Sequence, residues 1–405
     1  MTTSTTATTM VSDGLGLGIP SPGRRITPLL LLVLLVLWVH CPETCDGLAV
    51  DRRQQQQQER QYHRSLSITP ASTEELYPPL VLLGGIAQTR SSWDHHLPSL
   101  SKHRRVVVYE CLGQGDHRPS TATTPSSTSG DDEDKDDGVV PSFFDASLPA
   151  QARTLLEILE DNRRVLLPVD DDDSDDDDDG DTVTVDVAGF SFGGRVALAA
   201  ACLLREEEED EQQQQQQQQR QGGRRGVRIR RLHLAGVGCG RSDAGCMALR
   251  SFPDILRGDP SLRSFAWSVL LATYAPGFLR KLPEPTLDRI LGHIASTNRP
   301  NRDGLLAILE QAEVTDAADP WHVSSMADRL NVNNDDADGD VSMAGKLCAG
   351  ELDAMAPVSA VEELRARSTR WIRDAVDVLP GCGHAVVIED PRAWRESLLS
   401  FLDDD

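Results

Sequence analysis

Apolar positions along the chain alternate between short unbroken runs and longer, helically spaced segments. Leu66-Ser67-Ile68 reads as a short strand, and Pro79 to Leu83 and Arg105 to Tyr109 as continuous apolar runs. Runs this short, β-rich and unalternating predict strands covered on both faces of a parallel sheet. Between the latter two, Ser91 to Ser101 reads as a helix with Ser91 or Ser92 as its cap. Ala146 to Leu159 places Leu148, Ala152, Leu155, Leu156 and Leu159 on one helical face. Thr182 to Val187 is a strand of alternating β-branched residues that ends at Gly189. Val196 to Leu204 is an apolar helix stopped by Arg205 and a run of Glu. Val227 to Leu234 is the next strand, with Ala235 to Gly238 as its exit loop. This β-α-β-α order predicts an α/β fold with a mostly parallel, doubly wound sheet.

Residues 249–330 break the alternation with helical patterns at Ser264 to Tyr274, Leu287 to Ser296 and Gly304 to Ala312. It resumes with a strand at Lys346 to Gly350, a helix at Val358 to Arg367, a strand at Ala375 to Leu379 and a last helix at Arg392 to Leu402. The expected organisation is a targeting and disordered segment at 1–63, the first part of an α/β core at 64–248, and a helical cap at 249–330. An acidic linker at 331–343 and the second part of the core at 344–405 follow. No internal repeat is visible.

Composition trims the folded part. Glutamine runs at Gln54 to Gln58 and Gln212 to Gln219, and acidic runs at Asp131 to Asp137, Asp170 to Asp181 and Glu206 to Glu211, cannot bury enough apolar surface to offset ordering entropy. Disordered insertions are therefore expected at about 117–141, 169–181 and 205–225. Without these and the N-terminus, roughly 270 residues remain, the size of one α/β domain with an insertion. The net charge of −24 comes largely from the acidic runs and repels nucleic acid. No basic stripe with interleaved aromatics points to a nucleic-acid partner either.

Arg24 and Arg25 precede an apolar run at 29–39, about half of the ~20 residues a spanning helix needs. It reads as the core of a signal peptide, with Gly47-Leu48-Ala49 as a cleavage candidate and no stable transmembrane anchor in the mature chain. Residues 50–66 are rich in Arg and Gln, so the expected destination is the secretory pathway, or a plastid reached by a two-part address. The eight cysteines show no CxxC pair and no zinc spacing, and read as small buried hydrophobes.

The chemistry concentrates in Gly189-Phe190-Ser191-Phe192-Gly193-Gly194, between a predicted strand and a predicted helix. In that setting a GxSxG run is a tight turn that lifts the serine hydroxyl clear of the sheet. The Phe192 N–H and the helix N-terminus then point at an incoming oxyanion. A serine nucleophile needs a base, and an acid to orient it. Of ten histidines, His384 in Gly381-Cys382-Gly383-His384 follows the last predicted strand. Asp353 follows the strand before it, with Glu351 as an alternative acid and a helix cap as the structural alternative for Asp353. Gly84-Gly85-Ile86 ends an early strand, with Gln88 and Thr89 as candidates for polar contacts beside it.

Together with Gly113-Gln114-Gly115-Asp116 and Gly350 to Asp353, these motifs resemble the α/β-hydrolase superfamily, in its branch with a single helical cap. The resemblance covers about residues 76–402. It implies a Ser191, Asp353, His384 triad with Ile86 and Phe192 as oxyanion donors, and an ester, thioester or related acyl substrate. It implies no metal and no organic cofactor, and leaves the oligomeric state open. Many relatives carry His-Gly where this chain has Gly84-Gly85.

Ser191 to Leu198, with Arg195, is also similar to the menaquinone/phylloquinone-pathway synthase that makes succinyl-hydroxy-cyclohexadiene carboxylate. There the Arg contacts a substrate carboxylate, which fits bidentate recognition. Phe190 and Phe192 stand where that family usually has Tyr and Met. Arg195 as a loop brace is the structural alternative. In the cap, Trp267 and Tyr274, with Phe278 and Trp321, are candidates for an apolar pocket wall beside Phe190. Arg263, Arg280, Arg289 and His322 read chiefly as solvated surface, and Trp93, His95 and His96 as packing. Three functions stay open: a serine hydrolase, the carbon–carbon lyase, and a ligand receptor on the same fold.

Overall fold

The computed structural model describes residues 66–115, 117, 145–166, 182–218, 226–311, 313, 316–331 and 343–403. The signal-like run 29–39, the insertions 117–141 (His117 apart) and 169–181, and most of the acidic linker lie outside the described residues.

The apolar runs form strands β1 (Leu66–Thr69), β2 (Leu80–Leu83), β3 (Val106–Tyr109), β4 (Thr182–Phe190), β5 (Gly226–Ala235), β6 (Ala344–Gly350) and β7 (Asp377–Leu379). They make one sheet in the order β1-β3-β2-β4-β5-β6-β7, parallel except for β1 against β3. The unbroken hydrophobicity of the central strands has a direct cause. Val81 and Leu83 of β2 enter the layer beneath one face, while Leu80 and Leu82 enter the layer on the other. Neither face meets water, so neither alternate position is polar.

Helices α1 (Leu148–Asp161), α2 (Phe192–Gln218), α7 (Val323–Leu330) and α8 (Val358–Arg367) contribute to the first layer. The other holds α9 (Pro391–Asp403), Trp93 and Leu100. Between β5 and β6 the chain also forms α3 (Asp243–Gly258), α4 (Arg263–Thr273), α5 (Glu284–Asn298) and α6 (Arg302–Gln311), which carry their own apolar clusters.

Four elements depart from expectation. The expected helix 91–101 is a 3-10 turn at Arg90–Trp93, capped by Thr89 and Ser92, and a separate turn at Leu97–Leu100. Pro98, without an N–H, interrupts the helical ladder there. The helix expected to stop at Leu204 runs on to Gln218, so the expected disorder of 205–225 is corrected over 205–218. Glu and Gln are good helix formers, and no Gly or Pro intervenes before Gly222. Helix α3 begins at Asp243, ahead of the expected cap boundary, with Ser242 accepting the Gly245 N–H at 3.1 Å. Helix α7, inside the expected cap range, packs in the sheet core with Val323, Met326 and Ala327.

One charge is buried in the middle of the sheet. Asp186 on β4 has no exposed surface and accepts from Arg104 at 3.1 Å and from Arg230 at 2.9 and 2.7 Å. Arg104 also pairs with Asp403 at the end of α9. The sheet is thereby tied to the C-terminal helix, at mid-strand rather than at the strand ends.

Candidate active site

Strand β4 delivers Ser191 and helix α2 begins at the next residue. The serine has φ 52, left-handed for a residue with a side chain. Its N–H donates to the Ala235 carbonyl at 2.8 Å, and its carbonyl accepts the Arg195 N–H at 3.1 Å. The turn is too tight for side chains around it. A Cβ on Gly189 would lie 2.4 Å from Gly194 Cα, and one on Gly193 2.5 Å from the Gly84 carbonyl oxygen.

Strands β6 and β7 bring the other two groups in. His384 Nε2 lies 2.7 Å from Ser191 Oγ, and His384 Nδ1 lies 2.8 Å from Asp353 Oδ2. The second Asp353 oxygen accepts the Met355 and Ala356 N–H groups at 2.7 and 2.8 Å. Asp353 therefore both meets the imidazole and closes its own turn, but it does not cap α8, whose N-cap is Pro357. Glu351 instead accepts the Gly381 N–H at 2.8 Å and supports the histidine loop from outside. The Phe190 ring packs 5.2 Å from the His384 ring.

Two N–H groups of residues that line the same cavity as Ser191 and His384 have no acceptor among the described residues. The Phe192 N–H opens α2, where no intrahelical acceptor exists and the helix dipole is positive. On the loop after β2, Gly85 N–H donates to Gln88 Oε1 at 2.8 Å and Ala87 N–H to Gln114 Oε1 at 2.5 Å. The Ile86 N–H between them has no partner among the described residues. Ala87 holds φ 65, and buried Gln114 keeps it there.

A cavity of about 450 Å³ lies over Ser191. Ile86, Phe190, Phe192, Arg195 and Tyr274 line it, with Phe252, Val269 and Ile308 from α3, α4 and α6. Trp267 does not line it, which corrects its expected role. Phe265, Ala266, Val269 and Leu270 take the inward face of α4, and Trp267 is left on the outer face, 36% exposed. Phe278 stacks on Tyr274 at 5.6 Å, and Trp321 lies under the Arg329 guanidinium at 4.7 Å. Of the expected surface cations, Arg289 does reach the cavity, as does His95, whereas Arg263 pairs with Asp288 and Arg280 is exposed. Buried His96 bonds the Val387 carbonyl at 3.0 Å, behind the His384 loop. Among the described residues, no group of three His, Cys, Asp or Glu side chains is placed to hold a metal, and no helix is long and apolar enough to cross a membrane.

Several residues here carry no local sequence signal. Glu313 receives Arg195 Nη1 at 2.7 Å and the Arg241 fork at 2.9 and 2.9 Å. Burial pushes the Glu313 carboxyl up, but Arg195 and Arg241 together outweigh it and hold it below the usual value. Arg241 did have a clue, since it lies just beyond the carboxyl end of β5, where open α/β sheets bind ligands. Buried Cys111, Cys202, Cys239 and Cys348 have thiols pushed up by burial to about 12, consistent with inert core positions.

No curated protein matches the chain. Solved structures share its fold across most of their length. MGS-M2, an alpha/beta hydrolase enzyme from a Medee basin deep-sea metagenome library, aligns with a TM-score of 0.56 at 16% identity, over 84% of this chain and 94% of that one. MenH from S. aureus aligns at 0.53 and 14%, over 84% and 98%. The enol-lactonase from Burkholderia xenovorans LB400 aligns at 0.52 and 14%, over 84% and 96%. Identities this low carry the fold and nothing finer. The model of the alpha/beta hydrolase family matches residues 80–396, well over half of the sequence, and the chain belongs to that family.

Proposed function

We propose that the protein is a serine hydrolase that cleaves an ester, thioester or related acyl bond of a small, largely apolar substrate. The observation that carries the reading is the unbroken relay from Ser191 Oγ through His384 to Asp353, at 2.7 and 2.8 Å. In this mechanism His384 takes the Ser191 proton as the hydroxyl attacks the acyl carbon, and returns it to the leaving group. Asp353 stabilises the imidazolium and fixes its tautomer. The Ile86 and Phe192 N–H groups receive the oxyanion, a contribution of about 3 kcal/mol per donor in comparable sites. Water then repeats the sequence on the acyl-enzyme.

The lyase reading asks Arg195 to receive a substrate carboxylate, yet here Arg195 binds Glu313. The hydrolase reading is placed first for that reason. The test is labelling with a fluorophosphonate probe, using Ser191→Ala and His384→Ala as controls. Labelling that disappears in both variants is expected. A folded parent protein that takes up no probe and turns over no ester panel overturns the reading, and would move attention to pyruvate elimination or to ligand binding without turnover.

A further inference from the structure

Ser191 stands between two cavities of unequal size. The larger, about 450 Å³, lies against the cap helices and is mostly apolar. The smaller, about 120 Å³, lies beside residues 236–241 and is closed by Cys246, His322 and Val323. Four residues line both: Ser191, Arg195, Arg241 and Glu313. The boundary between the chambers is therefore the nucleophile and one ionic cluster.

A pair of guanidinium groups beside a nucleophile is a ready seat for a carboxylate, because the planar forks match its two oxygens. In this chain the seat is already filled. Glu313 accepts Arg241 Nε with one oxygen, and Arg241 Nη2 and Arg195 Nη1 with the other. Arg241 is held further by the Met355 carbonyl at 3.3 Å. Arg195 is 7% exposed, meets Glu313 through Nη1, and has its Nε buried without a partner. A substrate carboxylate entering here meets a carboxylate at its own docking point. It must either share the arginines against like-charge repulsion or expel Glu313 from its partners, and both cost free energy.

We propose that Glu313 is a specificity-determining residue: by occupying the arginine pair between the two cavities, it reserves that side of Ser191 for a short uncharged group and turns away substrates carrying a carboxylate there. The bulky apolar part of the substrate lies in the cap cavity. The substrate class is then a neutral ester or thioester joining a large apolar group to a small one. This substrate assignment rests on Ser191 acting as the nucleophile. The claim about the arginine seat does not.

The test uses the full chain, Glu313→Gln, which preserves volume, and Glu313→Ala. Matched neutral and anionic esters cover both orientations: 1-naphthyl propionate against 1-naphthyl hemisuccinate, and the methyl against the carboxymethyl ester of 4-phenylbutyrate. In the pair that is cleaved, the parent favours the neutral member, and both variants shift the kcat/KM ratio toward the anionic member by about tenfold or more. A ratio unchanged in both variants, or a parent that favours the anionic ester, overturns the proposal. Calorimetric binding of 4-phenylbutyrate gives a readout free of turnover. Affinity rises about tenfold in Glu313→Ala and falls back when Arg195→Ala is added; equal affinity in parent and Glu313→Ala overturns the proposal. If the parent takes up no fluorophosphonate but the binding gain appears, the hydrolase reading fails and the role of Glu313 stands. If the probe labels Ser191 and neither ratio nor binding moves, the reverse holds.

Discussion

Glu389 accepts the Gly383 N–H at 2.9 Å, one residue before His384. Its other oxygen accepts the Ala275 N–H at 3.0 Å, where the chain has just left helix α4. A third bond joins the same two segments, from the Ala385 N–H to the Thr273 carbonyl at 3.0 Å. The histidine loop and the cap are thus bracketed by one carboxylate. Burial pushes that carboxyl up, against two N–H donors that favour its ionised form.

The bracket makes Glu389 a positioning residue. Glu389→Ala is expected to lower kcat by about 10- to 100-fold with KM changed far less, since small misplacements of a base are costly. Glu389→Gln, which keeps one acceptor, recovers part of the loss. Steady-state kinetics on any cleaved ester checks this, and a pure KM effect in the Ala variant would refute it.

Strain at Ser191 is separable from its chemistry. Ser191→Ala and Ser191→Gly both lose the hydroxyl, but only Gly is at ease at φ 52. The Gly variant is expected to be the more stable of the two by about 1 kcal/mol, despite its greater unfolded-state entropy. Urea midpoints of the two variants decide it, and an Ala variant as stable as the Gly variant means the elbow carries no strain.

Buried histidines set an acid limit on stability. Burial lowers His233 from 6.5 to about 4, and burial with neighbouring His95 and Arg395 lowers His96 from 6.5 to about 3. Below pH 6.5 the unfolded chain gains protons on these rings that the folded chain refuses. Stability is therefore lost as pH falls from there toward the folded values, by up to ~1.4 kcal/mol per pH unit and group. His233→Leu is expected to flatten the decline between pH 6 and about 4 in urea titrations. An unchanged slope would exclude His233 as a source.

The buried carboxylate of Asp186 holds Arg104 and Arg230 together. Asp186→Ala leaves the 2%-exposed Arg104 side chain with far less compensation. A loss of about 3–5 kcal/mol is expected by chemical denaturation. A loss below about 1 kcal/mol would place the network among surface pairs.

What the sequence disclosed follows from how far each signal reaches. The strands were legible because double-sided burial leaves an unbroken apolar run, and the elbow because its glycines and serine are contiguous. Ser191, Asp353 and His384 were legible because each follows its own strand. Glu313 meets Arg241 across 72 residues and Arg195 across 118, and Glu389 meets Ala275 across 114, so no local pattern announces them. Trp267 was misjudged because helical spacing marks the faces of a helix without saying which one looks into the cavity. The Glu and Gln runs were misjudged over 205–218 because composition alone ignores that both residues extend a helix already begun.

Helix α2 has 27 residues, and at about 1.5 Å per residue its far end lies ~40 Å along the axis from Ser191. The glutamine repeat begins within that far end, and the aspartate tract joins the chain just before β4, at the strand end remote from the serine. Both runs therefore join the β4–α2 unit at its ends remote from Ser191. A change in the length of either run leaves the turn that carries Ser191 untouched.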